Sequence, residues 1–107
     1  MKLMKAMLTA TAIAASSQSA KADITLFMEA WESLPQAEIT QGKHEDCAAN
    51  QVVFGPALMS KGFRKTFPGT GANGDDLCYR RTADPLHPDS GWTMWGRCST
   101  DGDCEIR

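Results

Sequence analysis

The sequence predicts a small α+β domain, stabilised by disulfides, with an N-terminal helix and a C-terminal three-stranded antiparallel meander. Three observations lead to this class. Four cysteines occur in a chain of 107 residues. Apolar residues recur at helical spacing early in the chain, and side chains alternate in its last third.

The first 22 residues have the organisation of a secretory signal peptide. Lys2 and Lys5 form a basic start, residues 6–15 form a short apolar run, and Ala20-Lys21-Ala22 supplies the small residues that signal peptidase requires. The run is too short to cross a bilayer, which takes about 20 apolar residues. We therefore predict cleavage after Ala22 and a single periplasmic or secreted domain over residues 23–107.

Export would change the charge balance of the chain. The full sequence holds 11 basic and 13 acidic residues, and removal of Lys2, Lys5 and Lys21 leaves eight basic ones, a formal net charge of −5. Nucleic acids and anionic membranes are bound mainly through Lys and Arg. The mature part also has no second apolar run of membrane-spanning length. We therefore expect no nucleic-acid partner and no membrane span.

The cysteines predict two disulfides and no metal site. So short a chain buries little surface, and an even number of cysteines in an exported protein is typical of a disulfide framework. A metal site is the competing interpretation, because His44 lies three residues before Cys47 and His87 could add a nitrogen. The close C-x-x-C pairs of zinc sites are absent. The four cysteines are Cys47, Cys78, Cys98 and Cys104.

Three disulfide connectivities are possible, and we favour Cys98–Cys104 with Cys47–Cys78. The Asp-Gly of the intervening STDGD suits a tight reversal between strands, which would place Cys98 and Cys104 opposite each other. The alternative, Cys47–Cys104 with Cys78–Cys98, would connect the first half of the domain to the last strand.

A helix is predicted at the start of the mature chain. Asp23 is a suitable N-cap and Pro35 a suitable stop. A strand over residues 24–28 is the rival interpretation. The residues at i, i+3, i+4 and i+7 of the predicted helix face are Ile24, Phe27, Met28 and Trp31.

The middle of the chain is less regular in pattern. Residues 36–50 are polar and predict irregular structure, with a turn of helix near 46–50. Residues 52–54 are β-branched and aromatic and predict a short strand. Residues 57–67 predict one or two helical turns, and the Gly-rich residues 68–76 predict a loop.

The last third predicts the meander. Residues 77–82 alternate as a strand, and residues 83–90 contain two prolines and predict a connection. A second strand is expected over residues 92–98, and residues 104–107 pair back after the Asp-Gly turn. Three strands are about the minimum that is stable with packing or crosslinks.

The two tryptophans of the second strand raise the question of a binding surface. Trp92 and Trp95 differ by three positions, so a regular strand would place them on opposite faces. Trp92 is then the core residue, and Trp95 faces outward beside Arg97 and across from Arg80. A guanidinium over an indole contributes about 0.5–1 kcal/mol at an exposed site.

An outward Trp95 would form an aromatic and cationic patch for a protein or glycan partner. Trp, Tyr and Arg dominate the binding energy of interfaces. A purely structural role for these side chains is the alternative. The other members of the predicted patch are Tyr79, Arg80, Arg81 and Arg97.

Residues 92–99, W-x-x-W-x-x-C-S, resemble the opening of a thrombospondin type 1 repeat, where tryptophans and arginines interleave in an extracellular binding unit. The family pattern has a second cysteine four residues after the first and a C-G-x-G; here the next cysteine is six residues on, at Cys104. The resemblance implies that a ladder of Trp and Arg is physically workable.

The sequence predicts neither catalysis nor a cofactor. His44 lies in a charged run and His87 lies beside Pro88. No G-x-S-x-G or C-x-x-C is present, and residues 69–75 lack the G-K-[ST] ending of a phosphate loop. A domain this small also offers little room for a cleft.

These observations predict a non-catalytic binding or interaction protein. The first alternative is an inhibitor of an extracytoplasmic hydrolase, which would present Leu86 and His87 in the proline-bearing connection. The second is a small accessory subunit of a periplasmic complex, for which the apolar face over residues 24–31 should be exposed.

Overall fold

The computed structural model describes residues 23–69, 75–99 and 102–107. Most of these residues lie in β-strands, which form two sheets, and the longest helical segment described is a 3₁₀ helix of six residues. The predicted α+β class is therefore wrong, and the described fold is mostly β.

The strands occur in this order: β1 (Ile24–Met28), β2 (Ser33–Lys43), β3 (Gln51–Ser60), β4 (Phe63–Phe67), β5 (Asp75–Asp84), β6 (His87–Trp92), β7 (Gly96–Cys98) and β8 (Gly102–Glu105). The 3₁₀ helix (His44–Ala49) lies between β2 and β3.

The predicted N-terminal helix is wrong, because residues 24–28 form β1. Ile24, Leu26 and Met28 are buried, whereas Thr25 and Phe27 are only partly so, which is the period of two of a strand. A short apolar run fits both periods, and its environment decides between them. Here β1 is the central strand of a three-stranded sheet, antiparallel to β4 and parallel to β8.

The larger sheet has five strands in the order β3–β2–β5–β6, with β7 also paired to β5. The irregular structure predicted for residues 36–50 is therefore wrong as far as Lys43, and the 3₁₀ helix follows where a helical turn was expected. The helical turns predicted for residues 57–67 are also wrong. That segment is the end of β3 and all of β4, joined by a turn at Gly62, whose φ is 93°.

The predicted meander is only partly present. Residues 77–82 do lie in a strand, β5, but the expected connection over residues 83–90 is mostly strand, with a turn at 85–86. The expected return strand, β8, does not pair with β7. It pairs with β1 in the other sheet, and the buried Ile106 continues this pairing by donating its N–H to the Phe27 carbonyl at 2.8 Å. Residues 70–74 of the predicted loop and 100–101 of the predicted turn lie outside the described residues.

The hydrophobic core lies between the two sheets. Its buried side chains come from both of them, so the sheets pack against each other and bury the apolar face of each. The members of this cluster are Ile24, Leu26, Met28, Leu34, Ala37, Ile39, Met59, Phe67, Leu77, Cys98 and Ile106.

The favoured disulfide connectivity is confirmed, with Cα–Cα distances of 5.7 Å for Cys47–Cys78 and 6.1 Å for Cys98–Cys104. Cys47–Cys78 fastens the 3₁₀ helix to β5. Cys98–Cys104 joins β7 of the larger sheet to β8 of the smaller one, so it crosslinks the two layers. Both bonds therefore fix elements that no continuous ladder of hydrogen bonds joins.

Among the described residues, no helix has the length and apolar character needed to cross a membrane.

We expect removal of the two disulfides to destabilise the fold unequally. In the chain-entropy treatment, the 31-residue separation of Cys47 and Cys78 contributes about 4 kcal/mol and the six-residue separation of the other pair about 2 kcal/mol. Paired Cys→Ala variants, unfolded in urea, measure the two losses of unfolding free energy. If the two losses were equal, or if loss of Cys98–Cys104 cost more, the disulfides would not stabilise the fold mainly by restricting the unfolded chain.

Candidate functional site

The outer face of the five-stranded sheet carries an unusual group of polar and aromatic side chains. Along β5, Leu77 lies in the core and Tyr79 packs against it. Successive side chains of a strand point to opposite faces, so Cys78, Arg80 and Thr82 lie on the face turned away from the core. This face of β5 positions the candidate site.

Arg80 lies between two tryptophan rings. Its guanidinium carbon is 4.3 Å from the ring centroid of Trp92 and 4.5 Å from that of Trp95. Its Nε donates a hydrogen bond of 2.7 Å to Oε1 of Glu38, which lies directly opposite on β2. We call Trp92, Arg80 and Trp95 the Trp–Arg–Trp sandwich.

Both rings reach the same face because the chain is irregular between them. Trp92 pairs with Thr82 and so shares the outer face. Residues 93–95 are not strand, which interrupts the alternation before β7 begins at Gly96. The predicted placement of the rings on opposite faces is therefore wrong. Trp92, expected in the core, is half-buried and lies outside the core cluster.

The sandwich gives the Glu38 carboxylate the charged partner that its burial requires. The Glu38 side chain is only 9% exposed, and that of Arg80 is 27% exposed. A buried charge without a partner is strongly destabilising. A guanidinium over an indole contributes about 0.5–1 kcal/mol at an exposed site and more when desolvated. Three side chains therefore hold Arg80 in place: Glu38, Trp92 and Trp95.

Two other residues of the predicted patch, Tyr79 and Arg81, lie on the core-facing side of β5 instead. The Tyr79 ring covers Gly96, where a Cβ atom would overlap it, and its hydroxyl donates to the Glu105 carbonyl at 3.5 Å. Arg81 lies 5.0 Å from the ring centroid of Trp31. The predicted patch is thus divided between two faces.

Arg97 does lie on the outer face, since it pairs with Cys78. Its Nε donates to the carbonyl of His44 at 3.0 Å, which places the guanidinium against the 3₁₀ helix. The guanidinium over the Trp95 ring is that of Arg80.

Sequence reasoning missed two residues of this surface. Glu38 was assigned to an irregular polar segment, and only the pairing of β2 with β5 reveals it as the partner of Arg80. Met94, in the segment between the two tryptophans, is 92% exposed. An exposed methionine between two half-buried tryptophans is an apolar feature open to a partner.

A second exposed feature is the tip of the β5–β6 hairpin. Leu86 is 83% exposed, and its N–H donates to Oδ1 of Asp84 at 2.9 Å. Oδ2 of Asp84 lies 2.7 Å from Nδ1 of His87. The backbone hydrogen bond from Leu86, followed by the one to His87, lowers the pKa of the Asp84 carboxyl. The tip is therefore ordered by its own polar groups.

The described residues enclose no pocket, and they contain no group of three His, Cys, Asp or Glu side chains placed to hold a metal ion. The features open to a partner in this part of the chain are thus surfaces rather than cavities.

No protein-family model, curated protein or solved structure matches this chain. The comparisons therefore add nothing to the short resemblance to a thrombospondin type 1 repeat.

Replacement of Arg80 by Met is expected to lower the free energy of unfolding by about 3 kcal/mol, because it leaves the Glu38 carboxylate buried without its partner. Addition of Glu38→Gln should restore most of this loss. The matched control is Arg64→Met, since Arg64 is exposed and lies 5.0 Å from the ring centroid of Phe27; its cost should stay below about 1 kcal/mol. The free energies of unfolding are measured in urea. Similar losses for Arg80→Met and Arg64→Met would contradict the role of Arg80 as the charged partner that buried Glu38 requires.

The hairpin tip should loosen in acid. Because the pKa of Asp84 is lowered in the folded protein, its ionised form stabilises the tip at pH values above the ordinary carboxyl range. This contribution is lost as the pH falls through the lowered pKa. The amide resonance of Leu86 should therefore titrate below the range of an unpaired aspartate, and Asp84→Asn should abolish the transition. A midpoint at or above the ordinary range would contradict the hydrogen-bond assignment.

Proposed function

We propose that this chain is an exported, disulfide-bonded protein without catalytic activity that binds another protein. Its binding surface is the Trp–Arg–Trp sandwich together with Met94. The observation that carries the proposal is an arginine held between two half-buried indoles beside a methionine that is 92% exposed.

The composition and rigidity of this surface support a protein partner. Trp, Arg and Met are enriched in protein interfaces, and Trp and Arg carry much of their binding energy. Side chains already fixed before association lose less conformational entropy when the partner binds. Arg80 is fixed by Glu38 and by both rings. The sandwich therefore offers contact area at a low ordering cost.

The two disulfides support export to the periplasm or the medium, because both fit an oxidising compartment. The signal-peptide pattern of residues 1–22 supports it from the sequence. Those 22 residues lie outside the described part of the chain.

Inhibition of an extracytoplasmic hydrolase is the second candidate, and exposed Leu86 at an ordered hairpin tip favours it. However, residues 85–86 form a tight turn, whereas a segment that mimics a substrate must be extended over several residues. The accessory-subunit alternative is less well supported, because Ile24 and Met28 are buried in the core rather than free to dock on a partner.

Substitution of Met94 by Lys tests the binding surface without disturbing the fold. The side chain is almost fully exposed, so stability should change by less than about 0.5 kcal/mol. A partner captured by the wild-type protein from periplasmic or culture fluid should bind the variant about tenfold more weakly, as expected for a hot-spot residue. Binding is measured by surface plasmon resonance.

The control is Leu86→Lys, which places the same charge on a similarly exposed side chain at the hairpin tip. Full binding by this variant supports the sandwich surface. Loss of binding with Leu86→Lys alone would overturn the proposal in favour of the inhibitor. The bait is purified from the exported fraction, where Asp23 should be its first residue; an intact Met1 there would overturn the proposed cleavage after Ala22.

A further inference from the structure

We propose that Arg80 is the receptor for a single carboxylate group of the protein partner. This inference rests on the proposed function and names the chemistry that its binding surface recognises. It follows from which parts of the guanidinium are covered and which are left open.

The protein leaves the Nη nitrogens of the guanidinium open. The guanidinium carbon lies over the rings of both Trp92 and Trp95, and Nε donates a hydrogen bond to Glu38. A guanidinium carries five N–H donors, so four remain on Nη1 and Nη2. Among the described residues, no acceptor lies within hydrogen-bond distance of either nitrogen, and the side chain is 27% exposed. A ligand can therefore reach the arginine at its Nη nitrogens.

A carboxylate matches this opening better than other acceptors. It is planar and offers two oxygens at the spacing of the paired Nη donors, which gives a bidentate, charge-assisted interaction. The two indoles and Glu38 cover much of the arginine, whose side chain is 27% exposed, so the ion pair is stronger than a fully solvated one.

Glu38 limits the opening to one negative charge. The buried Glu38 carboxylate already balances the charge of Arg80. The carboxylate of a partner would bind the Nη nitrogens of the same guanidinium, while Glu38 keeps its hydrogen bond with Nε. A run of acidic residues would add repulsion from Glu38 without another open guanidinium in the sandwich. We therefore expect one carboxylate with an apolar neighbour that packs on Met94.

Three small probes separate the possible sources of this carboxylate. N-acetylleucine carries a terminal carboxylate, N-acetylglutamyl-leucinamide carries a side-chain carboxylate, and N-acetylleucinamide carries none. Each is titrated into the isotope-labelled, disulfide-bonded protein while the Nε–H resonance of Arg80 and the indole N–H resonances are followed by NMR.

At least one carboxylate probe should bind about tenfold more tightly than the amide, because it makes charge-assisted hydrogen bonds that the amide cannot. The tighter carboxylate probe identifies the source. Equal binding by the amide would overturn the inference.

The variants test whether Arg80 is responsible. Arg80→Lys keeps the charge but loses the planar pair of donors, so the preference for carboxylate should disappear. If this variant does not fold, the double variant Glu38→Gln with Arg80→Met removes both charges and replaces it. Arg64→Lys on the smaller sheet is the control and should leave the preference intact. Retention of the preference without Arg80 would overturn the inference.

The two proposals fail separately. If Met94→Lys weakens partner binding while the protein binds the carboxylate and amide probes equally, the proposed binding surface is supported. The proposal that Arg80 is a carboxylate receptor is then wrong. If the protein binds the carboxylate probes more tightly than the amide while Met94→Lys binds the partner normally, Arg80 remains a carboxylate receptor. The proposal that the partner binds through Met94 is then wrong.

Discussion

The antiparallel pairing of β2 with β5 is the constraint on which the rest of the structure depends. It places Ile39 opposite Tyr79 on the core side and Glu38 opposite Arg80 on the outer side. One register therefore builds part of the hydrophobic core and also the charged pair of the candidate site. A slip of one residue would expose Ile39 and would turn Glu38 toward the core. The buried Glu38–Arg80 pair thus adds specificity to a register that apolar burial already favours.

The two layers use different means to keep their elements in place. Between the sheets, apolar packing is supplemented by Cys98–Cys104, which fixes the short edge strands β7 and β8. On the outer face, the described residues form no second sheet, and Cys47–Cys78 holds the 3₁₀ helix there instead. Beyond the helix, stacked side chains cover the sheet. Trp92 and Trp95 therefore pack on the charged group of Arg80, whereas Trp31 packs against the hydrophobic core.

The sequence predicted the covalent frame better than the fold. Cysteine spacing and the STDGD segment were enough to rank the connectivities, because a short separation brings cysteines together whatever the surrounding structure. Alternation identified residues 77–82 as a strand. The period of the short run at Ile24–Met28 was ambiguous, and strands on both sides decided it. Arg80 near Trp95 was foreseen, but Glu38 was not, since its role depends on a strand 42 residues away in sequence.

The break in regular structure at residues 93–95 explains why the buried Glu38–Arg80 pair and the proposed binding surface coincide. A continuous strand would have buried one indole and left the other alone on the surface. The break keeps both rings on one face, where Arg80 fills the space between them. Met94 lies within this break and is 92% exposed. The geometry that satisfies Glu38 inside the protein thus leaves the opposite edge of the same guanidinium, and the apolar residue beside it, facing solvent. That coupling is the physical reason for placing recognition here rather than at the hairpin tip, where the polar groups of Asp84 are directed to the chain's own backbone and His87.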